Sequence, residues 1–292
     1  MIKLIVDSTC DLPEEYIIKY DITVLSLKVL LEDKEFLDKK TISVDEVYDA
    51  MRKGVMPRTS QPSPEEIYNI FRDFAENGED FIYLSFSQIL SGTYQLAWAV
   101  LNEIKKLYPD RKMEIIDSKG GSTATGLIAL WAVSWIKDNK LDYQQIVSKI
   151  KELVNSVEHI FTLSDLSWLI KGGRIGKAQG MLGNILNINP ILQVNDGRME
   201  IIHKVRGRKK ALNMIIDLLE ERTGNFTDQI IGISHADDLE TAEELMRLIQ
   251  TRTGFRRFII NKIGSVLGSH LGIGGVGIFF FNYNAEELLK NT

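Results

Sequence analysis

Residues 81–107 read FIYLSFSQILSGTYQLAWAVLNEIKKL and join an apolar run, a polar turn and an amphipathic segment without interruption. The run Phe81–Phe86 predicts a buried strand, because it is short, continuous and followed by polar turn residues. From about Gly92 onward apolar residues recur at helical spacing, which predicts a helix whose buried face is made of Leu96, Ala97, Val100, Leu101, Ile104 and Leu107. A strand that leads directly into a helix is the repeating unit of a parallel sheet.

The rest of the first half repeats this unit. Lys3–Val6 and Met113–Ile116 are further apolar runs, each followed by a polar turn. Ser43–Glu46 and Ser63–Glu66 both fit a capping box, the second with proline at its first helical position. Repeated strand–helix units with right-handed crossovers predict an α/β domain with a parallel sheet over residues 1–155.

Residues 156–292 predict a second domain of a different kind. Asn195–Arg198 is a hairpin turn, so the segments on either side of it should pair antiparallel. Val276–Phe281 is continuously apolar, and we expect it at the centre of the sheet. The other predicted elements are the strands Ile191–Val194, Met199–Val205, Ile230–Ser234 and Arg257–Ile263 and the helices Lys209–Arg222 and Leu239–Thr251. A hairpin combined with helices predicts an α+β domain with a mixed sheet and a boundary near residue 156.

The composition is typical of a soluble, intracellular protein. Hydrophobic residues make up 44% of the chain and charged residues 26%, and no apolar run reaches the ~18 residues of a membrane span. The N-terminus has no pattern of a secretion signal, and the single cysteine, Cys10, cannot form an internal disulfide. We therefore expect a cytoplasmic location and no integral membrane segment.

The net charge of −5 argues against a general nucleic-acid-binding protein. Residues 171–210 are the exception, with nine basic residues and only Asp196 and Glu200 as acids. A regulatory protein that binds nucleic acid through this window is one interpretation, and it predicts salt-sensitive binding. The overall acidity and the lack of a helix-turn-helix signature disfavour it.

Three segments have residues suited to binding a ligand. Ser91 follows a strand and precedes a helix, where free N–H groups favour an anion, although spacing alone favours an ordinary N-cap. Pro57–Pro64 holds three hydroxyls between prolines and either presents donors or only connects two elements. In Gly264–Gly277, His270 is a single imidazole among six glycines. A lone histidine is usually structural, and without a second metal ligand nearby we expect no metal site.

Two basic segments follow. Leu163–Lys177 predicts a short helix stopped by a glycine cap, after which Arg174 enters a loop. Lys204–Ala211 places basic residues at the start of a helix, where they oppose its dipole. A solvated face is the commoner explanation for such a run, but the cost to helix stability favours a function.

Six segments, in order along nearly the whole chain, resemble the DegV family of bacterial fatty-acid-binding proteins, the lipid-carrying subunits of fatty acid kinase. They are Asp7–Thr9 with Asp11–Pro13, Thr59–Pro62, Leu90–Tyr94, Lys171–Arg174, Lys204–Gly207 and His270–Gly272. The resemblance implies a DegV-like two-domain fold, with a Rossmann-like parallel-sheet domain, a second α+β domain and an acyl-chain slot.

The resemblance also implies roles for individual residues. Thr59, Ser91 and His270 match the residues that bind the fatty-acid carboxylate, supported by the loop residues Ser60, Gly92 and Thr93. Arg174 matches an arginine needed when the kinase acts. It would face the partner or a phosphate together with Lys204, Arg206 and Arg208.

The implied activity is that of a binding subunit rather than an enzyme, with no cofactor. It would hold a fatty acid of the palmitate, stearate or oleate class and present it to a separate kinase subunit, which forms an acyl phosphate for phospholipid synthesis. Two departures could reshape the slot and its preferred chain: Ile273 stands where the family commonly has proline, and Lys119–Ser122 is unusually rich in glycine.

An acyl hydrolase or acyltransferase is the alternative, with Ser91 as nucleophile and His270 as base. Against it, the sequence has no Gly-x-Ser-x-Gly elbow, and no acidic residue is evident to orient the histidine. Turnover of ester substrates that Ser91→Ala abolishes would favour this alternative.

Overall fold

The computed structural model describes residues 1–175 and 188–290. The strands of the first half are β1 (Ile2–Asp7), β2 (Thr23–Leu25), β3 (Lys28–Leu31), β4 (Lys34–Leu37), β5 (Arg58–Ser60), β6 (Asp80–Ser85) and β7 (Met113–Asp117). Its helices are α1 (Glu14–Tyr20), α2 (Val44–Arg52), α3 (Pro64–Glu76), α4 (Thr93–Leu107), α5 (Ser122–Asp138) and α6 (Tyr143–Val154).

The predicted parallel sheet is confirmed, with strand order β2-β1-β6-β7 and every neighbouring pair parallel. A second, antiparallel sheet of order β4-β3-β5 was not predicted. Its strands have only three or four residues, and the turn between β3 and β4 uses Glu32 at positive φ rather than the usual glycine or asparagine. This small sheet matters because β5 carries Thr59.

The second half contains β8 (Val157–Thr162), β9 (Asn189–Asn195), β10 (Arg198–Val205), β11 (Ile230–His235), β12 (Arg257–Lys262) and β13 (Val276–Phe281). Its helices are α7 (Ser167–Lys171), α8 (Arg208–Thr223), α9 (Leu239–Arg252), α10 (Ser265–Leu271) and α11 (Glu286–Lys290), with a 3-10 turn at Tyr283–Ala285. No helix among the described residues is long and apolar enough to cross a membrane.

The sheet of the second half is mixed, as predicted, with order β10-β9-β8-β13-β11-β12. Only β11 and β12 pair in parallel, and the apolar strand β13 lies between β8 and β11 near the centre. The predicted hairpin is confirmed: β9 and β10 pair antiparallel around Asp196 and Gly197, which both have the positive φ of a tight hairpin turn.

The two predicted helix caps differ. Ser43 forms the complete capping box, accepting from the Glu46 amide and donating its own amide to the Glu46 carboxylate. Ser63 caps the Glu66 amide at 3.1 Å, but the reciprocal half of this box does not form. The Glu66 carboxylate instead lies 2.7 Å from Nζ of Lys40, so the prediction of a second full box was wrong.

The predicted apolar face of α4 is only partly buried. Ala97, Leu101 and Ile104 are buried, whereas Leu107 is 60% exposed. Leu107 is the last residue of the helix and extends past the apolar core beneath it. Leu96 and Val100 are half-buried against the same core, so the predicted face is confirmed except at its last residue.

Helix α5 packs on both large sheets, contacting β1 on one side and β8, β11 and β13 on the other. Most of its first twelve residues are buried, which fits a helix enclosed from several sides. The first strand of the six-stranded sheet begins at Val157, close to the expected boundary near residue 156. The apolar cores include residues from both sides of that boundary, among them Leu84 and Phe279 in one cluster.

Candidate functional site

Thr59, Ser91 and His270, predicted to bind one carboxylate, line a common cavity of about 310 Å³. Thr59 comes from β5, Ser91 from the turn between β6 and α4, and His270 from α10. The same cavity is lined by Leu27, Ser60, Gln61, Phe86, Leu90, Gly92, Arg174, Met199, Val266, Leu267 and Leu271. Segments far apart in sequence thus converge on one polar-edged space, which we call the head-group cavity.

The side chains of Thr59 and His270 are directly hydrogen-bonded, with 2.8 Å between Oγ1 and Nε2. Burial, aided by the positive charge of Arg174, lowers the pKa of His270 to about 4. The ring is therefore neutral near pH 7, so that one nitrogen donates and the other accepts. Nδ1 is buried and has no hydrogen-bond partner among the described residues. It faces Gly172, where a Cβ would lie only 2.4 Å away, so this approach requires glycine.

Ser91 lies directly before Gly92, the N-cap residue of α4, and lines the cavity. Its Oγ accepts from the amide of Thr93 at 3.3 Å and lies 2.8 Å from the Thr93 hydroxyl, which is buried. When Thr93 donates its hydroxyl proton to Ser91, the proton of Ser91 is left to donate to a ligand oxygen. The interpretation of Ser91 as the N-cap was wrong by one residue, because Gly92 holds that position, and the bond to the Thr93 amide leaves Ser91 able to bind a ligand.

The hydrogen bonds of Ser91 and His270 do not form a nucleophile–base pair. The hydroxyl of Ser91 is bonded to Thr93, and the imidazole of His270 is bonded to Thr59. The arrangement is that of several neutral donors around one space, which suits binding an anion rather than activating a serine.

Gln61 and Ser87 are two polar contributors that sequence reasoning missed. The side-chain oxygen of Gln61 lies over Gly92, where a Cβ would approach it to 2.9 Å. The hydroxyl of Ser87 donates to the carbonyl of Gly197 at 2.9 Å, which fixes the tip of the β9–β10 hairpin against the turn that carries Ser91. Gln61 lies within the Thr59–Pro62 segment, so the sequence indicated the segment but not the contribution of Gln61 to the cavity.

An apolar slot adjoins the head-group cavity. It has a volume of about 50 Å³ and shares five wall residues with that cavity: Phe86, Leu90, Met199, Leu267 and Leu271. Beyond them it runs between the start of α5 and the six-stranded sheet. This part is lined by Gly120, Gly121, Ser122, His159, Phe161, Leu163, Val194, Ile263, Gly275, Val276, Gly277 and Phe279. A polar-edged chamber that shares a wall with an apolar one is suited to an amphiphile.

Glycines create the space in this slot. A Cβ at Gly121 would lie 2.6 Å from the Phe86 ring, and one at Gly120 would lie 2.0 Å from Nε2 of His159. The unusual Lys119–Ser122 segment therefore forms part of the slot wall. Ile273, the other departure from the family pattern, packs on the apolar core beside the slot.

Arg174 lines the rim of the head-group cavity and is exposed to solvent. Its guanidinium donates to the carbonyl of Gly172 at 2.6 Å and, more weakly, to that of Leu90 at 3.5 Å. These bonds fix the cation close to both His270 and the Ser91 turn. The glycine stop before it is also found, with α7 ending at Lys171 and Gly173 in the left-handed region.

The other predicted basic residues lie outside the lining of this cavity. Arg208 is held by Asp238 at 2.6 Å and by the carbonyl of Gly274 at 2.9 Å, so its charge is largely satisfied within the fold. Lys204 and Arg206 are exposed, near the end of β10. Residues 176–187 of the basic window lie outside the described residues.

A sequence model described as an uncharacterised protein of the DegV family matches residues 1–283. The chain belongs to the DegV family. A DegV domain-containing protein of Clostridium perfringens is 35% identical over 283 residues, covering 96% of this chain and 97% of that protein. One from Caldanaerobacter subterraneus is 32% identical over 279 residues, covering 96% of this chain and 98% of its own.

Solved structures of the DegV family share this fold. A stearic acid-binding protein from Eubacterium ventriosum superposes with a TM-score of 0.90 at 28% identity, covering 97% of this chain and 99% of that one. A fatty acid-binding DegV family protein from Thermus thermophilus has a TM-score of 0.86 at 28% identity, covering 96% and 99%. The architecture described above, with two large sheets and one small one, is thus the DegV fold.

Proposed function

We propose that this protein binds one long-chain fatty acid, with the carboxylate in the head-group cavity and the acyl chain in the apolar slot. The observation that carries the proposal is the shared wall of these two adjoining spaces, which includes Phe86, Leu267 and three other apolar side chains. Structural relatives that bind fatty acids support it. Thr59, Ser91 and His270 would be the carboxylate ligands, with Ser60, Gly92 and Thr93 shaping their loops.

The energetics favour such a ligand. About 15 methylenes at ~0.8 kcal/mol each would supply up to ~12 kcal/mol of transfer free energy before the entropy of binding is subtracted, provided that the side chains of the slot, now about 50 Å³, move apart to admit the chain. The carboxylate must be compensated, because an unpaired buried charge is very costly. The hydrogen-bonded pair of Thr59 and His270 has one proton left to donate, and the Ser91 hydroxyl and the start of α4 add further donors for charge-assisted hydrogen bonds.

We further propose that the bound acid is presented to a separate fatty acid kinase subunit in the cytoplasm. The kinase would convert the carboxylate into an acyl phosphate that feeds phospholipid synthesis, while this chain carries the substrate without a cofactor. Arg174 at the rim is well placed to attract a transferring phosphate. Lys204, Arg206 and Arg208 would belong to the surrounding basic face.

The test is native mass spectrometry of the purified protein, which we expect to carry one long-chain fatty acid per chain. Delipidated protein should regain one equivalent when titrated with palmitic, stearic or oleic acid. When the loaded protein is incubated with ATP alone, no acyl phosphate should form. Acyl phosphate should form only after a fatty acid kinase subunit is added. A protein that takes up no fatty acid after delipidation would overturn the proposal.

A further inference from the structure

His159 lies in the wall of the slot, in the part that the head-group cavity does not share. It belongs to β8 and pairs across the sheet with Phe279 of β13. Its side chain is only 4% exposed, and its ring packs edge-on against Phe279 with 5.7 Å between the ring centres. The other polar side chain in this part of the wall is that of Ser122, whose hydroxyl already bonds to Asp11 and Ser234, and the remaining wall residues are glycine or apolar.

Neither ring nitrogen of His159 has a hydrogen-bond partner among the described residues, and both are shielded from solvent. The large majority of buried polar side-chain atoms in proteins are paired, so two unpaired nitrogens on one ring call for a physical reason. Burial lowers the pKa of His159 to about 4, so the ring is neutral near pH 7. It offers one N–H donor and one acceptor to whatever enters the slot.

His159 also borders a second pocket that is lined by charged and amide side chains, none of which forms a hydrogen bond with the ring. Gly120 lets the backbone approach Nε2 so closely that any larger residue would collide with the ring. The side chains of Phe161 and Phe279 beside it carry no hydrogen-bonding group that could satisfy the nitrogens. A plain alkyl chain passing here would leave both nitrogens unpaired, whereas a chain with a hydroxyl would satisfy one of them.

We propose that this slot prefers fatty acids that carry a hydroxyl, or a similar hydrogen-bonding group, on the part of the acyl chain that reaches His159. The inference rests on the proposed function and specifies its substrate class. The side chain of His159 would act as a specificity-determining group, since a site built to hydrogen-bond a hydroxyl discriminates against the analogue that lacks it.

The experiment titrates delipidated full-length protein with stearic acid and with a series of octadecanoic acids, each bearing one hydroxyl at successive carbons of the chain. We expect isomers with the hydroxyl at the depth of His159 to bind about tenfold more tightly than stearic acid. Isomers with the hydroxyl elsewhere should bind more weakly than stearic acid, because their hydroxyl is buried without a partner.

Three variants test whether the imidazole causes the preference. The readout is the ratio of the two affinities within each variant, so a general loss of binding does not mimic a loss of preference. His159→Leu should reduce the ratio to one or below, whereas Phe161→Leu, which changes the same wall without a polar atom, should keep it. His159→Gln, which keeps a donor and an acceptor, should keep part of it.

Stearic acid binding with no preference for any hydroxylated isomer would overturn this inference and leave the proposed function intact. An unchanged preference in His159→Leu would also overturn it. Binding of neither class of acid would overturn the proposed function and this inference with it. If His159→Leu does not fold, the dependence on hydroxyl position in the wild type and the ratio in His159→Gln decide.

Discussion

Oγ1 of Thr59 lies 2.8 Å from Nε2 of His270, although 211 residues separate them in sequence. The bond joins the small sheet β4-β3-β5 to helix α10, and it closes one side of the head-group cavity. Because the imidazole is neutral, the pair holds two protons, one on the threonine hydroxyl and one on the ring. One proton maintains the mutual bond, which leaves the other to be donated to a ligand.

We therefore expect Thr59 and His270 to act as a unit in fatty-acid binding. Thr59→Ala and His270→Ala should each weaken binding by about 1–3 kcal/mol, since each removes or misdirects a donor. The double variant should cost less than the sum of the two. Titration of delipidated variants with stearic acid measures all three.

Ser91→Ala should weaken fatty-acid retention by about 1 kcal/mol or more through loss of its hydroxyl donor. Ser148→Ala supplies the matched control, because Ser148 is exposed on α6 and bonds only to Glu152. The lipid content of both proteins after purification is the measurement. Equal lipid content in the Ser91 and Ser148 variants would remove Ser91 from the binding site.

Gly121→Ala should shorten the acyl chain that the protein accepts. The added Cβ would lie 2.6 Å from Phe86 and 3.4 Å from Leu267, both of which line the slot and the head-group cavity. Gly254→Ala is the control, because a Cβ there meets nothing closer than 3.5 Å. Competition between acids of increasing length should shift toward shorter chains in the Gly121 variant alone. Identical length profiles for the two variants would contradict the assigned slot.

The sequence predicted the convergence of Thr59, Ser91 and His270, but not the elements that achieve it. The small sheet that places Thr59 has strands too short for a periodic signal. Helix α10 was hidden among glycines, which lower helix propensity, and it is stabilised by tertiary packing instead.

The role of His159 could not be predicted for a different reason. The strand Val157–Thr162 reads VEHIFT, and its pattern does not tell which face meets the slot. That choice depends on pairing with β13, more than 100 residues later in the chain. Local patterns therefore predicted most elements and the motif residues, whereas the slot wall follows from long-range register.

Arg174→Ala should retain fatty acid but impair acyl-phosphate formation with a kinase subunit. The guanidinium lies at the rim and bonds to backbone carbonyls, so its loss removes a charge without opening the slot. Lys171→Ala is the matched control, since Lys171 is an exposed cation in the same segment. Lipid content by mass spectrometry and acyl-phosphate formation are measured together. Normal phosphorylation by the Arg174 variant would rule out the proposed role.

Charge reversal should have different effects on stability and docking at Arg208 and at its neighbour Lys209. Arg208→Glu is expected to destabilise the fold by about 1–3 kcal/mol, because it places like charge against Asp238 and removes a bond to Gly274. Lys209→Glu, at an exposed position in the first turn of α8, should stabilise the fold slightly, by about 0.3–1 kcal/mol, because a carboxylate there complements the helix dipole, and it should weaken docking to a kinase subunit. Urea unfolding and affinity at fixed salt distinguish the two effects. If the affinity of the Lys209 variant for the kinase subunit is unchanged, the basic residues of Lys204–Ala211 are only a solvated face.

The buried imidazole of His159 should make stability depend on pH. Burial lowers its pKa from 6.5 to about 4, so between these values the unfolded chain binds more protons than the folded one. Stability contributed by the neutral ring is therefore complete above about pH 6.5 and is lost as the pH falls toward 4. Leucine at this position does not titrate, so His159→Leu should gain up to about 3 kcal/mol relative to the wild type over that interval.

Urea unfolding of wild type, His159→Leu and Phe161→Leu at several pH values between 7 and 4 measures this difference. Asp11, whose pKa burial raises to about 6, contributes with the opposite sign, because its stabilisation is present at low pH and is lost as the pH rises. It is common to all three proteins and cancels in the comparison. The curves of the wild type and Phe161→Leu should run parallel while that of His159→Leu diverges from them. Three parallel curves would mean that His159 is protonated as readily in the fold as in the unfolded chain, which contradicts a ring enclosed without partners.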